Sequence, residues 1–91
     1  MKDFYVYILS NSRRTVYYTG VTNNLERRLT EHRTGIGSKF CKRYNIFDLV
    51  YYEVYDSIIY AISREKKVKK MSREKKLQMI RELNPGNRNL L

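Results

Sequence analysis

The chain opens on apolar and aromatic side chains with a period of two. In FYVYILSN, Tyr5, Tyr7 and Leu9 fall on one face and Phe4, Val6 and Ile8 on the other, which predicts a β-strand. RTVYYTGVT, residues 14–22, predicts a second, and the short polar SNSRR before it predicts an antiparallel hairpin. The period then changes. NNLERRLTEH carries Leu25 and Leu29 four apart behind capping asparagines, so a helix begins within a residue or two of Asn23. FDLVYYEVYD is a third strand. Ser57 caps a helix running to Met71, with Ile58, Ala61, Ile62 and Val68 at the three-and-four spacing of one face. Ser72 caps another from Arg73 to about Leu83, which Pro85 stops. The order β-β-α-β-α-α is an α+β domain with a small three-stranded antiparallel sheet flanked by helices. No repeat or composition break divides the 91 residues, so a single domain spans 1–91.

Charge adds a partner to this layout. Nineteen Lys and Arg against nine Asp and Glu give a net charge of +10, which favours a polyanion, either nucleic acid or an acidic membrane surface. No apolar run approaches the roughly 20 residues of a spanning helix. The N-terminus, with Lys2 and Asp3, lacks the cleavage pattern of a signal peptide. The expectation is a soluble, cytoplasmic protein with no membrane association. Cys41 is the one cysteine and His32 the one histidine, which excludes an internal disulfide and a zinc-type ligand set. Cys41 reads as a reduced bystander.

Three features carry candidate chemistry. Glu65, the acid of the basic stretch SREKKVKKM, falls in the apolar stripe of its helix. Two readings stand: an ordinary pair with a lysine four residues on, such as Lys69, or a semi-buried carboxylate that binds a hard divalent cation such as Mg2+. Arg28 and His32 are also four apart and project beside Leu25 and Leu29, placing a guanidinium and an imidazole together near the sheet. The planar fork of an arginine suits phosphate, whereas a lone histidine on such a face is usually structural. Finally, Lys66, Lys67, Lys69, Lys70, Arg73, Lys75 and Lys76 form either a solvated face or a set of phosphate contacts, with sequence-independent, salt-sensitive affinity. The EKK at 65–67 fits a restriction-type site poorly because it is helical. GIGSK at 35–39 lacks the spacing of a nucleotide-binding loop and reads as a flexible connection.

Taken in order, YVY at 5–7, YTG at 18–20, NLERRLTEH, AISREKKVKK and LNP at 83–85 resemble the GIY-YIG nuclease superfamily. The chain is most similar to its small single-domain members, related to the N-terminal nuclease domain of the excision-repair nuclease UvrC. The likeness runs from about Phe4 to Pro85. It implies a DNA endonuclease acting in repair or recombination, which hydrolyses phosphodiester bonds of structured or branched DNA with one Mg2+ or Mn2+ ion. Residue by residue, it implies catalytic roles for Tyr7, Tyr18, Arg28, His32 and, most loosely, Asn84, with Gly20 closing the second motif and Glu65 holding the metal. Arg28 would stabilise charge on the phosphoryl oxygens, and the ion would neutralise the leaving 3′ oxygen or the scissile phosphate. Tyr7 would act as base or water-positioner, with Tyr18 and His32 assisting. A phenol titrates near 10, so that role carries the expectation that neighbouring cations lower the pKa of Tyr7. Tyr5 and Thr19 stand where the family motifs have Gly and Ile. The alternative is a non-catalytic basic module with the same fold, which would bind nucleic acid through its last two helices and never cleave.

Overall fold

Because FYVYILS is apolar on both faces, it is the strand that gains most from being covered on both, and it lies in the middle of the sheet. A computed structural model describes residues 3–91; Lys2 lies outside them. β1 (Phe4–Ser10), β2 (Tyr17–Thr22) and β3 (Asp48–Tyr55) form an antiparallel sheet in the order β2-β1-β3. Around it lie α1 (Leu25–Thr34), α2 (Lys39–Arg43), α3 (Ile58–Lys70) and α4 (Arg73–Leu83). Asn24 caps α1 by accepting from the Arg27 amide, and Ser72 caps α4 by accepting from Lys75. Among the described residues no helix is long and apolar enough to cross a membrane.

The alternation of β1 sorts the core into two layers. Tyr7 and Leu9 pack with Leu29, Cys41, Ile46 and Leu49 under α1 and α2. Val6 and Ile8 pack with Val50, Tyr51, Ala61, Val68 and Ile80 under α3 and α4. Cys41 is a buried free thiol whose pKa burial raises.

Two local expectations are corrected. GIGSK is not simply a flexible connection: Gly35 closes α1 at φ 82°, a left-handed conformation suited to glycine, and Ser38 caps the five-residue α2. The stripe of α3 is also narrower than its spacing suggests. Ala61, Glu65 and Val68 are buried, whereas Ile58 and Ile62 are exposed. Ile62 lies about 100° around the helix from Ala61, beyond the edge of the sheet contact.

Long-range polar bonds tie the layers together. Glu53 of β3 accepts from Arg64 of α3 at 2.9 Å, from the Tyr55 phenol at 2.7 Å and from the Tyr51 phenol. Burial alone would raise its pKa, but these donors outweigh burial and hold it below the usual carboxylate range. The segment after α4 runs along the outer edge of β3. There the Leu90 amide donates to the Leu49 carbonyl at 2.7 Å and the Leu49 amide to Asn89 Oδ1 at 3.1 Å.

Candidate active site

Tyr7 organises the site. In the register of the sheet it lies opposite Gly20, and its ring crosses that residue: a Cβ on Gly20 would stand 2.4 Å from Tyr7 Oη and 2.5 Å from Cζ. The missing side chain lets the phenol extend to α1, where Oη lies 3.2 Å from His32 Nε2. The Tyr18 ring meets the same imidazole edge-on, with centroids 5.4 Å apart. Both Tyr7 and His32 are buried.

Arg28 stands one turn before His32. Its Nε is 3.6 Å from Glu31 Oε1, too long for a hydrogen bond, and both atoms are buried without a hydrogen-bond partner. The site therefore holds a guanidinium donor that nothing in the described residues satisfies. Glu31 was not singled out in the sequence, although its i+3 spacing from Arg28 is a signal that would have found it.

Charges around Tyr7 act in opposite directions. Burial raises its pKa most, Tyr18, Cys41 and Glu65 push the same way, and Arg28 alone pulls it down. The expectation that nearby cations lower the Tyr7 pKa is overturned, because removal from water outweighs a single guanidinium. His32 moves the other way. Burial, aided by Arg28, lowers its pKa below 6.5, so the imidazole is neutral at pH 7.

Glu65 makes the pair with Lys69 and is itself largely withdrawn from solvent. It is only 9% exposed, and its Oε2 lies 2.8 Å from Lys69 Nζ. The Lys69 side chain is 54% exposed, its pKa raised first by that hydrogen bond, and it also feels the charge of Tyr18. Among the described residues, no three His, Cys, Asp or Glu side chains gather as a metal-binding set. A lone carboxylate with one oxygen already engaged suits a hard cation that keeps most of its water, such as Mg2+ or Mn2+. It does not suit zinc or a two-metal centre.

Among the described residues, the Asn84 side chain makes no hydrogen bond to this cluster. It is buried at the end of α4, where Nδ2 donates to the Val50 carbonyl at 3.1 Å and to Arg88 O at 2.7 Å, while Oδ1 accepts from the Arg88 amide. All its side-chain hydrogen bonds hold the C-terminal segment to the sheet. Asn84→Ala is expected to lower stability by about 1–3 kcal/mol in urea unfolding while leaving cleavage per folded molecule largely intact. A folded variant as inactive as one lacking Glu65 would restore Asn84 to the chemistry. Lys66, Lys67, Lys70, Arg73 and Lys75 are exposed along α3 and α4, and Lys76 is half-buried.

The chain is similar to known proteins in both sequence and fold. Residues 3–78 match the GIY-YIG catalytic domain family. A UPF0213 protein of Syntrophus aciditrophicus is 46% identical over 83 residues, covering 90% of this chain and 94% of that protein. Another, from Natronomonas pharaonis, is 42% identical over 78 residues, covering 86% and 91%. The solution NMR structure of the UPF0213 protein BH0048 from Bacillus halodurans superposes with a TM-score of 0.57 at 36% identity, covering 92% of this chain and 87% of that one. With the family's catalytic domain matched over residues 3–78 and relatives of 46% and 42% identity covered almost end to end, the chain belongs to the GIY-YIG catalytic domain family.

Proposed function

We propose that this protein is a metal-dependent endonuclease that hydrolyses DNA phosphodiester bonds with one divalent ion, acting on structured or branched DNA in repair or recombination. The observation that carries this reading is the convergence on Tyr7 of a neutral imidazole and an unsatisfied, buried guanidinium donor. A scissile phosphate would supply the acceptor that Arg28 lacks, and the guanidinium would stabilise charge growing on the phosphoryl oxygens.

Proton movement follows from the two pKa directions. Tyr7 is held as the phenol, so it takes a proton from the attacking water only while passing its own to His32. The route is water to Tyr7 Oη and Tyr7 Oη to His32 Nε2, across the observed 3.2 Å. His32 accepts through Nε2 when its own proton is on Nδ1. Tyr18, packed edge-on, keeps the imidazole facing Tyr7. Glu65 would hold the ion, and Lys69 would release its carboxylate oxygen to do so. A bound Mg2+ or Mn2+ supplies Lewis-acid neutralisation of the scissile phosphate or the leaving 3′ oxygen.

The direct test is incubation of labelled duplex, single-stranded, nicked, flap and branched DNA with Mg2+ or Mn2+, with and without chelator. Metal-dependent cutting of at least one substrate is expected; binding without cutting across the whole panel would favour the non-catalytic module. The pH dependence is a second expected result. Because only neutral His32 accepts a proton, single-turnover rates should fall as pH drops below 6.5 and through the depressed pKa. A rate that stays flat over that range removes His32 from the proton route.

A further inference from the structure

Four basic side chains among the described residues are half-buried: Arg14, Arg28, Arg64 and Lys76. The first three each face a carboxylate, namely Asp48, Glu31 and Glu53. Lys76 has no such partner among the described residues. It lines a cleft of about 230 Å³ between the β1–β2 hairpin and α4, together with Thr15, Val16, Tyr17 and Arg73. Arg73 is held in that cleft, its guanidinium 5.6 Å above the Tyr17 ring and its Nη2 donating to the Arg14 carbonyl at 3.3 Å. Arg14 cannot fill the space, because its guanidinium is engaged with Asp48, Asn11 O and Asn87 O.

Two cations therefore converge on a cleft with no acid in its lining. Taking a lysine partly out of water beside an arginine costs stability unless an anion arrives, and burial lowers the Lys76 pKa accordingly. The cleft is also placed relative to the site. Tyr17 precedes Tyr18 on β2, an edge strand, and Lys69 beside Tyr18 lies four residues before Arg73. The cleft therefore lies across the open edge of the sheet from the site, Tyr17 packing in one core layer and Tyr18 in the other.

We infer that the cleft formed by Tyr17, Arg73 and Lys76 is a phosphate-binding site that anchors the substrate strand through a backbone phosphate distinct from the one being cut. This anchoring role rests on the nuclease reading, whereas the phosphate site itself does not. Arg73 provides a preset fork of donors, Lys76 a point charge already short of water, and Thr15 a hydroxyl at the rim.

The test compares Lys76→Met, which keeps the apolar stem but loses the charge, with Lys75→Met, an equal charge loss at an exposed neighbour on α4. Both are measured in chelator, so that no cleavage intervenes. Inorganic phosphate, set against chloride at equal ionic strength, should raise the melting temperature of the wild type and of Lys75→Met but not of Lys76→Met. Labelled duplex should bind Lys76→Met about tenfold more weakly at ~0.1 M salt, with the salt slope reduced by about one. Lys75→Met should lose less than about threefold, as a diffuse surface charge does. Arg73→Gln is expected to follow Lys76→Met in both measurements. If Lys76→Met and Lys75→Met behave alike in both, the site is overturned. If phosphate stabilisation is lost but DNA affinity matches Lys75→Met, the cleft takes free phosphate and its strand-anchoring role is overturned. If the wild type binds no DNA while phosphate stabilisation still requires Lys76, the phosphate site stands and the nuclease reading falls.

Discussion

Gly20→Ala should reduce cleavage on the order of a hundredfold, the loss associated with a displacement of about 1 Å at reacting groups. The added methyl would lie 2.4 Å from Tyr7 Oη and 2.5 Å from its Cζ, so the phenol must swing away from His32 or the two strands must separate. Either movement breaks the 3.2 Å contact on which the proton route depends. Overpacking of this kind costs about 1–3 kcal/mol of stability. Paired measurements of urea unfolding and single-turnover cleavage check both effects. A variant that stays folded and cleaves like the wild type would show that the Tyr7–His32 contact has no part in the chemistry.

Glu65→Gln should act on activity with almost no cost in stability. The Glu65–Lys69 pair is an i,i+4 contact with a half-exposed lysine, worth only about 0.3–0.5 kcal/mol in such settings. Glutamine keeps the shape and one oxygen but not the charge that a hard cation needs. Loss of several kcal/mol of transition-state stabilisation corresponds to a rate reduction of about a thousandfold or more. DNA binding in chelator should persist, slightly strengthened by the loss of one negative charge. Cleavage equal to wild type in carefully purified variant would remove Glu65 from the proposed metal site.

These effects bear on how much was legible beforehand. The strands and the paired helices followed from period and capping, because alternation in β1 and the Asn24 and Ser72 caps are local signals. The burial of Glu65 was legible for the same reason: its place in the stripe of α3 survived even though Ile58 and Ile62 moved to the surface. Other features had no local signal. The five-residue α2 is too short to show a period, and Glu53 meets Arg64 only because α3 crosses the sheet. The raised pKa of Tyr7 depends on its depth beneath α1, which a count of cations does not reveal. Asn84 had a motif's position but its hydrogen bonds face the C-terminal segment. Lys76 looked like one of seven basic residues until its partial burial set it apart.

The pairing of residues 89 and 90 with Leu49 has a consequence for self-association. β3 is an edge strand bearing Val50, Tyr51, Tyr52, Val54 and Tyr55, a composition prone to cross-chain pairing when its backbone is bare. By taking both the amide and the carbonyl of Leu49, the C-terminal segment acts as a selvedge at that end of the strand, leaving fewer of its backbone groups free to be stitched to another domain.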